Sequence, residues 1–142
     1  MLTDGEGTPL AFDLTAANIS EVTVGLDVVD RVSVPRPRGR PKSRPKALAA
    51  DKGYDSAEFR RELRRRGITP SVPRREWPGR KRKQGRAPKT HPVSGSRWKV
   101  ERTHGWIDNF RRLVVRYERN PDLYLAFFTI ACLIMALDKL LG

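Results

Sequence analysis

Ala47-Leu48-Ala49-Ala50-Asp51-Lys52-Gly53-Tyr54-Asp55-Ser56 decides how this chain reads. Ala47 to Ala50 is a short apolar run of the length of a buried strand, and Asp51 closes it. Alanine is a poor strand former, so the strand reading leans on the residues downstream of it. Gly53 allows a sharp turn. Asp55 with Glu58 three positions later forms a capping box, which predicts a helix from there to about Arg66 with Gly67 as its stop. Phe59 and Leu63 mark the apolar face of that helix, and Arg60, Arg61, Arg64, Arg65 and Arg66 its solvent side. Ile68 to Val72 reads as a second strand, placed at an edge by Pro70. Strand, helix and strand in this order make the chain a mixed α/β domain.

Upstream, Leu2-Thr3 and Pro9 to Thr15 flank Asp4-Gly5-Glu6-Gly7, a hairpin signal. The first strand of that hairpin holds only two or three residues, so further sequence is expected before it. Asn18 and Glu21 make another capping box, and Val22, Leu26 and Val29 come after it at helical spacing. Residues 31–46, rich in Pro and Arg, read as a solvated loop, and residues 73–96, with eight basic residues, as a second one. A helix is expected from about 96 to 117, with Trp106, Phe110, Leu113 and Tyr117 as its apolar stripe. Glu101 then points nearly opposite to the stripe, on the side of Arg97, His104, Asp108 and Arg112. A last helix, about 121–140, starts near Pro121 and carries the apolar run 123–137. That run falls short of the roughly 20 residues a membrane span needs, so we expect a buried core helix and no membrane anchor. The whole chain, 1–142, is read as one domain.

Composition narrows the partners. The 142 residues carry a formal charge of +13, which favours DNA, RNA or another polyanion. The cations cluster: residues 31–50 hold seven Arg/Lys and no acid, and residues 72–119 hold fifteen against four acids. A single cysteine, Cys132, excludes an internal disulfide and lies in the apolar run, where an inert buried thiol is expected. Met1-Leu2-Thr3-Asp4 opens no signal peptide, and a cytoplasmic setting is expected.

Two acids in basic surroundings carry the chemical reading. Asp51 ends a strand and Glu101 lies on a helix. Carboxylates so placed can converge on divalent metal ions that act on a phosphodiester. On the residues alone, a turn aspartate and a solvated glutamate are the commoner explanation, and the pair is a weak signal. His91 and His104 have no partner at metal-site spacing and read as surface or DNA-contact residues. Trp77 and Trp98 could stack on an unpaired base or pack under a loop.

Ala50-Asp51-Lys52-Gly53-Tyr54-Asp55-Ser56 resembles the second-aspartate motif of DDE transposases of bacterial insertion sequences. The stretch from Arg97 through Glu101 to Leu113 resembles their glutamate motif. Arg116-Tyr117-Glu118-Arg119 before an apolar helix, Leu2-Thr3-Asp4-Gly5-Glu6-Gly7 and Leu14-Thr15-Ala16-Ala17-Asn18 fit the same family, and the insertion-sequence-five-like group resembles the chain most. The resemblance implies an N-terminally truncated RNase H-like fold, a mixed sheet with flanking helices. It implies DNA cleavage and strand transfer at element ends with Mg²⁺ or Mn²⁺ held by two aspartates and a glutamate. Asp51 and Glu101 would be the catalytic and metal-binding acids, and Arg97, Arg102, Arg111 and Arg112 would meet DNA. The first aspartate of the triad is expected upstream of Leu2, since Asp4 does not match its motif. Asp108 stands where the family often has a basic residue. The chain alone is therefore expected to bind DNA without cutting it. Its partners by resemblance are element and target DNA, an upstream polypeptide and further copies of itself, in the bacterial cytoplasm at the nucleoid. A non-catalytic basic nucleic-acid-binding protein is the alternative reading.

Overall fold

The computed structural model describes residues 1–16, 18–75 and 92–142. Its elements are β1 (Leu2–Thr3), β2 (Pro9–Ala11), α1 (Glu21–Asp30), β3 (Ala47–Ala49), α2 (Ala57–Arg65), β4 (Thr69–Ser71), α3 (Trp98–Ile107), α4 (Arg111–Val114) and α5 (Pro121–Leu141). Short 3₁₀ turns occupy Lys52–Tyr54 and Pro92–Ser96. Two compact units result, one of Met1–Ile19 with Trp98–Gly142, the other of Ser20–Arg97.

The Ser20–Arg97 unit contains the β3–α2–β4 stretch, and its strands pair in parallel with Ala47 opposite Thr69 and Ala49 opposite Ser71. A parallel pair needs a crossover, and α2 supplies it. Thr69 N donates to Lys46 O and Ala50 N to Ser71 O, so the alternate position, Pro70, turns its missing donor away from β3. The edge position expected of Pro70 is thus observed: among the described strands β4 pairs with β3 alone. Phe59, Leu63, Ile68 and Val72 are buried with Val28, Val29 and Val32. Gly67 follows α2 with a φ of +75°, the left-handed stop foreseen for it. The α2 cap differs from expectation by one residue. Ser56, not Asp55, accepts from Phe59 N at 3.4 Å. Before α1 the cap position is Ser20 rather than Asn18, with no side-chain bond. The loop after α1 is closed by a bridge between Val34 and Lys42.

In the other unit, β1 and β2 pair antiparallel across the turn Asp4–Thr8. The residue with positive φ in that turn is Gly7, at +84°, rather than Gly5. Asp4 Oδ1 accepts from Glu6 N and Thr8 N, both at 2.8 Å, so the aspartate builds the turn. The helix foreseen over 96–117 is two helices, α3 and α4, separated at Asp108–Phe110. In an unbroken helix, Ile107 and Leu113 would lie about 120° apart around the axis. The break lets both enter one core with Ala131, Cys132 and Met135. Trp106 and Tyr117, expected on the buried stripe, are exposed instead, and Thr103 and Ile107 are the buried residues of α3.

Helix α5 starts as foreseen, with Pro121 in its first turn and Asn120 Oδ1 accepting from Asp122 N at 2.9 Å. Its burial does not match the expectation of a core helix. Ala131, Cys132 and Met135 are buried, whereas Ile130, Leu133, Leu137, Leu140 and Leu141 are half or more exposed. The helix is long and apolar enough to cross a membrane by length and composition, with mean hydropathy 1.9 over its most apolar stretch. One side is nevertheless committed to the protein, and Lys139 Nζ near its end donates to Glu6 O at 2.7 Å and Thr8 Oγ1 at 3.0 Å. Burial pushes the Cys132 thiol up to about 11, so it is protonated at neutral pH, as expected of an inert thiol.

The single mixed sheet expected from the sequence is not formed by the described strands. They make two separate two-stranded sheets, one antiparallel and one parallel. Strands of two or three residues offer few ladder bonds for a further neighbour to join.

Candidate functional site

Asp51 stands two residues past the end of β3, after Ala50, and caps the turn Lys52–Tyr54. Its Oδ1 accepts from Lys52 N at 2.6 Å and from Arg97 Nη1 at 3.3 Å. The side chain is 65% exposed, so the carboxylate is open to an incoming ligand. Tyr54, three residues on, packs against Phe59 at 5.3 Å between ring centroids. Burial, then the charge and hydrogen bond of Glu21, push its phenol up to about 12, so it stays neutral throughout the working range.

The second acid of the motif is structural. Asp55 Oδ1 accepts from Arg60 Nη2 at 2.7 Å, and its Oδ2 accepts from Arg75 N at 2.6 Å. Arg60 Nη2 also reaches Val72 O at 2.7 Å. Burial raises the Asp55 carboxyl, but the Arg75 backbone N–H and the Arg60 guanidinium outweigh it and hold it below the ordinary carboxylate value. This network explains the displaced cap: Asp55 is taken by Arg60 and Arg75, and the hydroxyl of Ser56 faces the helix end in its place. Arg75 further donates to Lys52 O and Gly53 O, each at 3.3 Å, and so fixes the turn beside Asp51.

Glu101 lies in the first half of α3 and is exposed. Next to it, Arg102 is sandwiched between two tryptophans four residues to either side. Its guanidinium carbon lies 4.9 Å from the centre of Trp98 and 4.8 Å from that of Trp106. Its Nη2 donates to Glu6 O at 3.0 Å. Trp98 is 51% exposed. Arg112 pairs with Glu118 at 2.7 Å and lies over the Phe127 ring. Arg111, Arg112, Tyr117 and Glu118 line a shallow pocket. His104 is exposed in the last turn of α3. His91 and Trp77 lie outside the described residues, as does most of the basic segment 73–96.

Comparison with known proteins decides the family. The Transposase DDE domain matches residues 1–136. A Burkholderia cepacia protein named "Putative transposase for insertion sequence element IS402" is 41% identical over 144 residues, which take in 99% of this chain and 62% of the relative.

The chain belongs to the DDE transposase family.

No solved structure matches it significantly. The chain spans 62% of the length of that relative. The mixed α/β character of the fold is consistent with membership. Transposases of this family generally use divalent metal ions, and carboxylate oxygens are the right donors for them. Among the described residues, no three His, Cys, Asp or Glu side chains come together as a metal site.

Sequence reasoning missed how many cations the transposase chain spends on itself. Lys99 Nζ donates to Gly5 O and lies 3.2 Å from Glu6 Oε1. With Arg102 and Lys139 it makes three basic side chains holding one turn. No signal short of the tertiary fold marks those residues, because their acceptors are backbone carbonyls distant in sequence.

Proposed function

We propose that this chain is the DNA-binding downstream part of a DDE transposase catalytic domain and does not cleave DNA alone. The match to the Transposase DDE domain across residues 1–136 carries the reading. The charge of +13 supports it, since phosphate is the partner a cationic surface attracts most. On this reading the complete domain is RNase H-like and performs metal-dependent cleavage and strand transfer at insertion-sequence ends, in the cytoplasm at the nucleoid. Asp51 and Glu101 are two of its catalytic carboxylates. Each would give oxygen ligands to Mg²⁺ or Mn²⁺ once a further acid, from an upstream polypeptide, joins them. Arg97, Arg111 and Arg112 contact DNA phosphates, while Arg102, foreseen beside them, is spent on the Asp4–Thr8 turn. Arg97 also holds Asp51 by its 3.3 Å contact, which orients the carboxylate while no metal competes for it.

The test is a nicking assay on supercoiled plasmid and on duplexes carrying element ends, with Mg²⁺ and with Mn²⁺. Binding without nicking is expected. Metal-dependent nicking by the isolated chain that is abolished by Asp51→Ala would refute inactivity. Nicking that survives Asp51→Ala together with Glu101→Ala would remove both residues from the catalytic assignment. A second reading is that the chain is a basic DNA-binding protein whose acids are structural, since among the described residues no three donor side chains come together. Weak Mn²⁺ binding measured by electron paramagnetic resonance separates the two. It is lost in Asp51→Ala if Asp51 is a ligand, and is unchanged or absent from the start if it is not.

A further inference from the structure

The loop between α1 and β3 presents charge that the fold does not use. Its neck is closed by a pair of backbone hydrogen bonds, Val34 N to Lys42 O at 3.0 Å and Lys42 N to Val34 O at 2.8 Å. Between them stands Pro35-Arg36-Pro37-Arg38-Gly39-Arg40-Pro41, made of proline, arginine and one glycine. The whole stretch is exposed, and the chain bends over residues 37–40. Gly39 has a φ of +87°, and a β-carbon there would meet nothing within 4 Å. Among the described residues, no hydrogen bond or ion pair engages Arg36, Arg38 or Arg40. They differ in this from Lys99, Arg102 and Lys139, which hold the Asp4–Thr8 turn.

We propose that this tip enters the minor groove of duplex DNA and selects A·T-rich sequence. It rests on the DNA-binding reading above and adds to it a groove and a sequence class. The minor groove of B-DNA is about 6 Å wide, too narrow for a helix or a strand pair. A single length of backbone reaches its floor where the central residue has no side chain, and Gly39 is that residue. Arg38 and Arg40 flank it with guanidiniums long enough to lie along the floor. Every A·T pair shows only acceptors there, adenine N3 and thymine O2, which match arginine donors. A G·C pair adds the guanine N2 amino group, so donor would face donor. Runs of A·T are also narrower and more negative in this groove, which draws arginine in. Pro37 and Pro41 fix φ on either side of the tip, so less backbone freedom is lost on binding.

Other partners fit the same loop less well. Unpaired bases call for an aromatic platform, and residues 31–46 contain no aromatic side chain. Double-stranded RNA has a wide, shallow minor groove that does not enclose a narrow tip. Domains that read polyproline segments take prolines three positions apart, and Pro35, Pro37, Pro41 and Pro45 contain no such pair.

Fluorescence anisotropy of the full chain tests this on three duplexes of equal length at one salt concentration. Their central runs are A·T, G·C and inosine·cytosine pairs. Inosine lacks the guanine N2 amino group, so inosine·cytosine resembles A·T in the minor groove and G·C in the major groove. The A·T and inosine·cytosine duplexes should bind about 10-fold more tightly than the G·C duplex. Arg38→Lys with Arg40→Lys keeps the charge but replaces the planar guanidiniums by strongly hydrated ammonium groups. All three duplexes should then bind alike, near the parent's affinity for G·C DNA. Equal binding of A·T and G·C duplexes by the parent overturns the proposal and leaves the DNA-binding reading standing. So does a preference that survives the double substitution, inosine·cytosine behaving as G·C does, or A·U duplex RNA bound as tightly as A·T DNA. A parent that binds no duplex removes both.

Discussion

Thr103 shows how a single side chain joins two elements. It is fully buried on α3, and its hydroxyl lies 2.7 Å from Gly7 O and 2.9 Å from Lys99 O. Gly7 has a φ of +84°, and a β-carbon there would meet Thr103 Oγ1 at 3.0 Å and Lys99 O at 3.3 Å. Both the backbone angle and the space therefore demand glycine. Gly7→Ala is expected to cost about 1–3 kcal/mol. Thr103→Val keeps the shape but leaves the Gly7 carbonyl without that donor, for about 1–2 kcal/mol. Thermal melts of both variants check this, and a Gly7→Ala protein as stable as the parent would remove the argument. At the same scale Asp51 and Asp55 looked alike in sequence, two acids in one motif. Only their surroundings separate them, one exposed and ligand-accessible, the other locked by Arg60 and Arg75.

At the scale of elements, α2 is held by ion pairs at both ends. Arg60 pairs with Asp55 near its start, and Arg66 pairs with Asp30 and Glu62 at its end. The Arg60 and Asp55 side chains are only 16% and 18% exposed, so the charge left by removing one partner is poorly solvated. Arg60→Ala is expected to cost about 2–3 kcal/mol, somewhat below the range for fully buried pairs. Urea denaturation measures it, and a midpoint unchanged from the parent would refute the role. Three carboxyls of these networks have depressed values. Asp55 is lowered against the effect of burial by Arg75 N–H and Arg60, while Asp30 and Glu62 are lowered chiefly by hydrogen bonds from Arg66. A depressed carboxyl stabilises the fold fully above its unfolded value, about 4. That stability is lost as pH falls from there through the lower folded values. Acid titration of the urea midpoint should therefore be flat above about pH 5 and fall below about pH 4. Replacing Asp55 by Asn should flatten the fall.

For the whole molecule, charge favours a polyanionic partner, on the reading proposed above DNA, and the fold decides how much of that charge is available. The formal +13 counts every cation equally, yet Lys99, Arg102 and Lys139 are bonded to the Asp4–Thr8 turn and Arg60 and Arg66 to α2 networks. The salt dependence of DNA binding should accordingly report fewer phosphates than the net charge. Fluorescence anisotropy on a duplex of about 30 base pairs across a salt series gives the slope. Arg111→Ala is expected to reduce it by about 1 and to weaken binding alike on element-end and random sequences. A slope that does not move would take Arg111 out of the DNA contact.

The sequence by itself determined the family, through Ala50–Ser56 and the run from Arg97 to Leu113, and the unit β3–α2–β4, through an apolar run, a helix with a glycine stop and a proline at the edge. These are local signals, in which residue type dictates backbone angle or periodicity within a few positions. It also placed Asp51 at a strand end and Cys132 in apolar surroundings. Tertiary structure alone decided the rest. The break at Asp108–Phe110 exists because Ile107 and Leu113 must share one core, a demand made by α5 and invisible in the periodicity of α3. The burial of α5 on one side only, the choice of Ser56 over Asp55 as cap, and the spending of lysines on the hairpin turn all depend on partners far away in the chain. Such contacts are set by what the fold brings together, which local propensity does not encode.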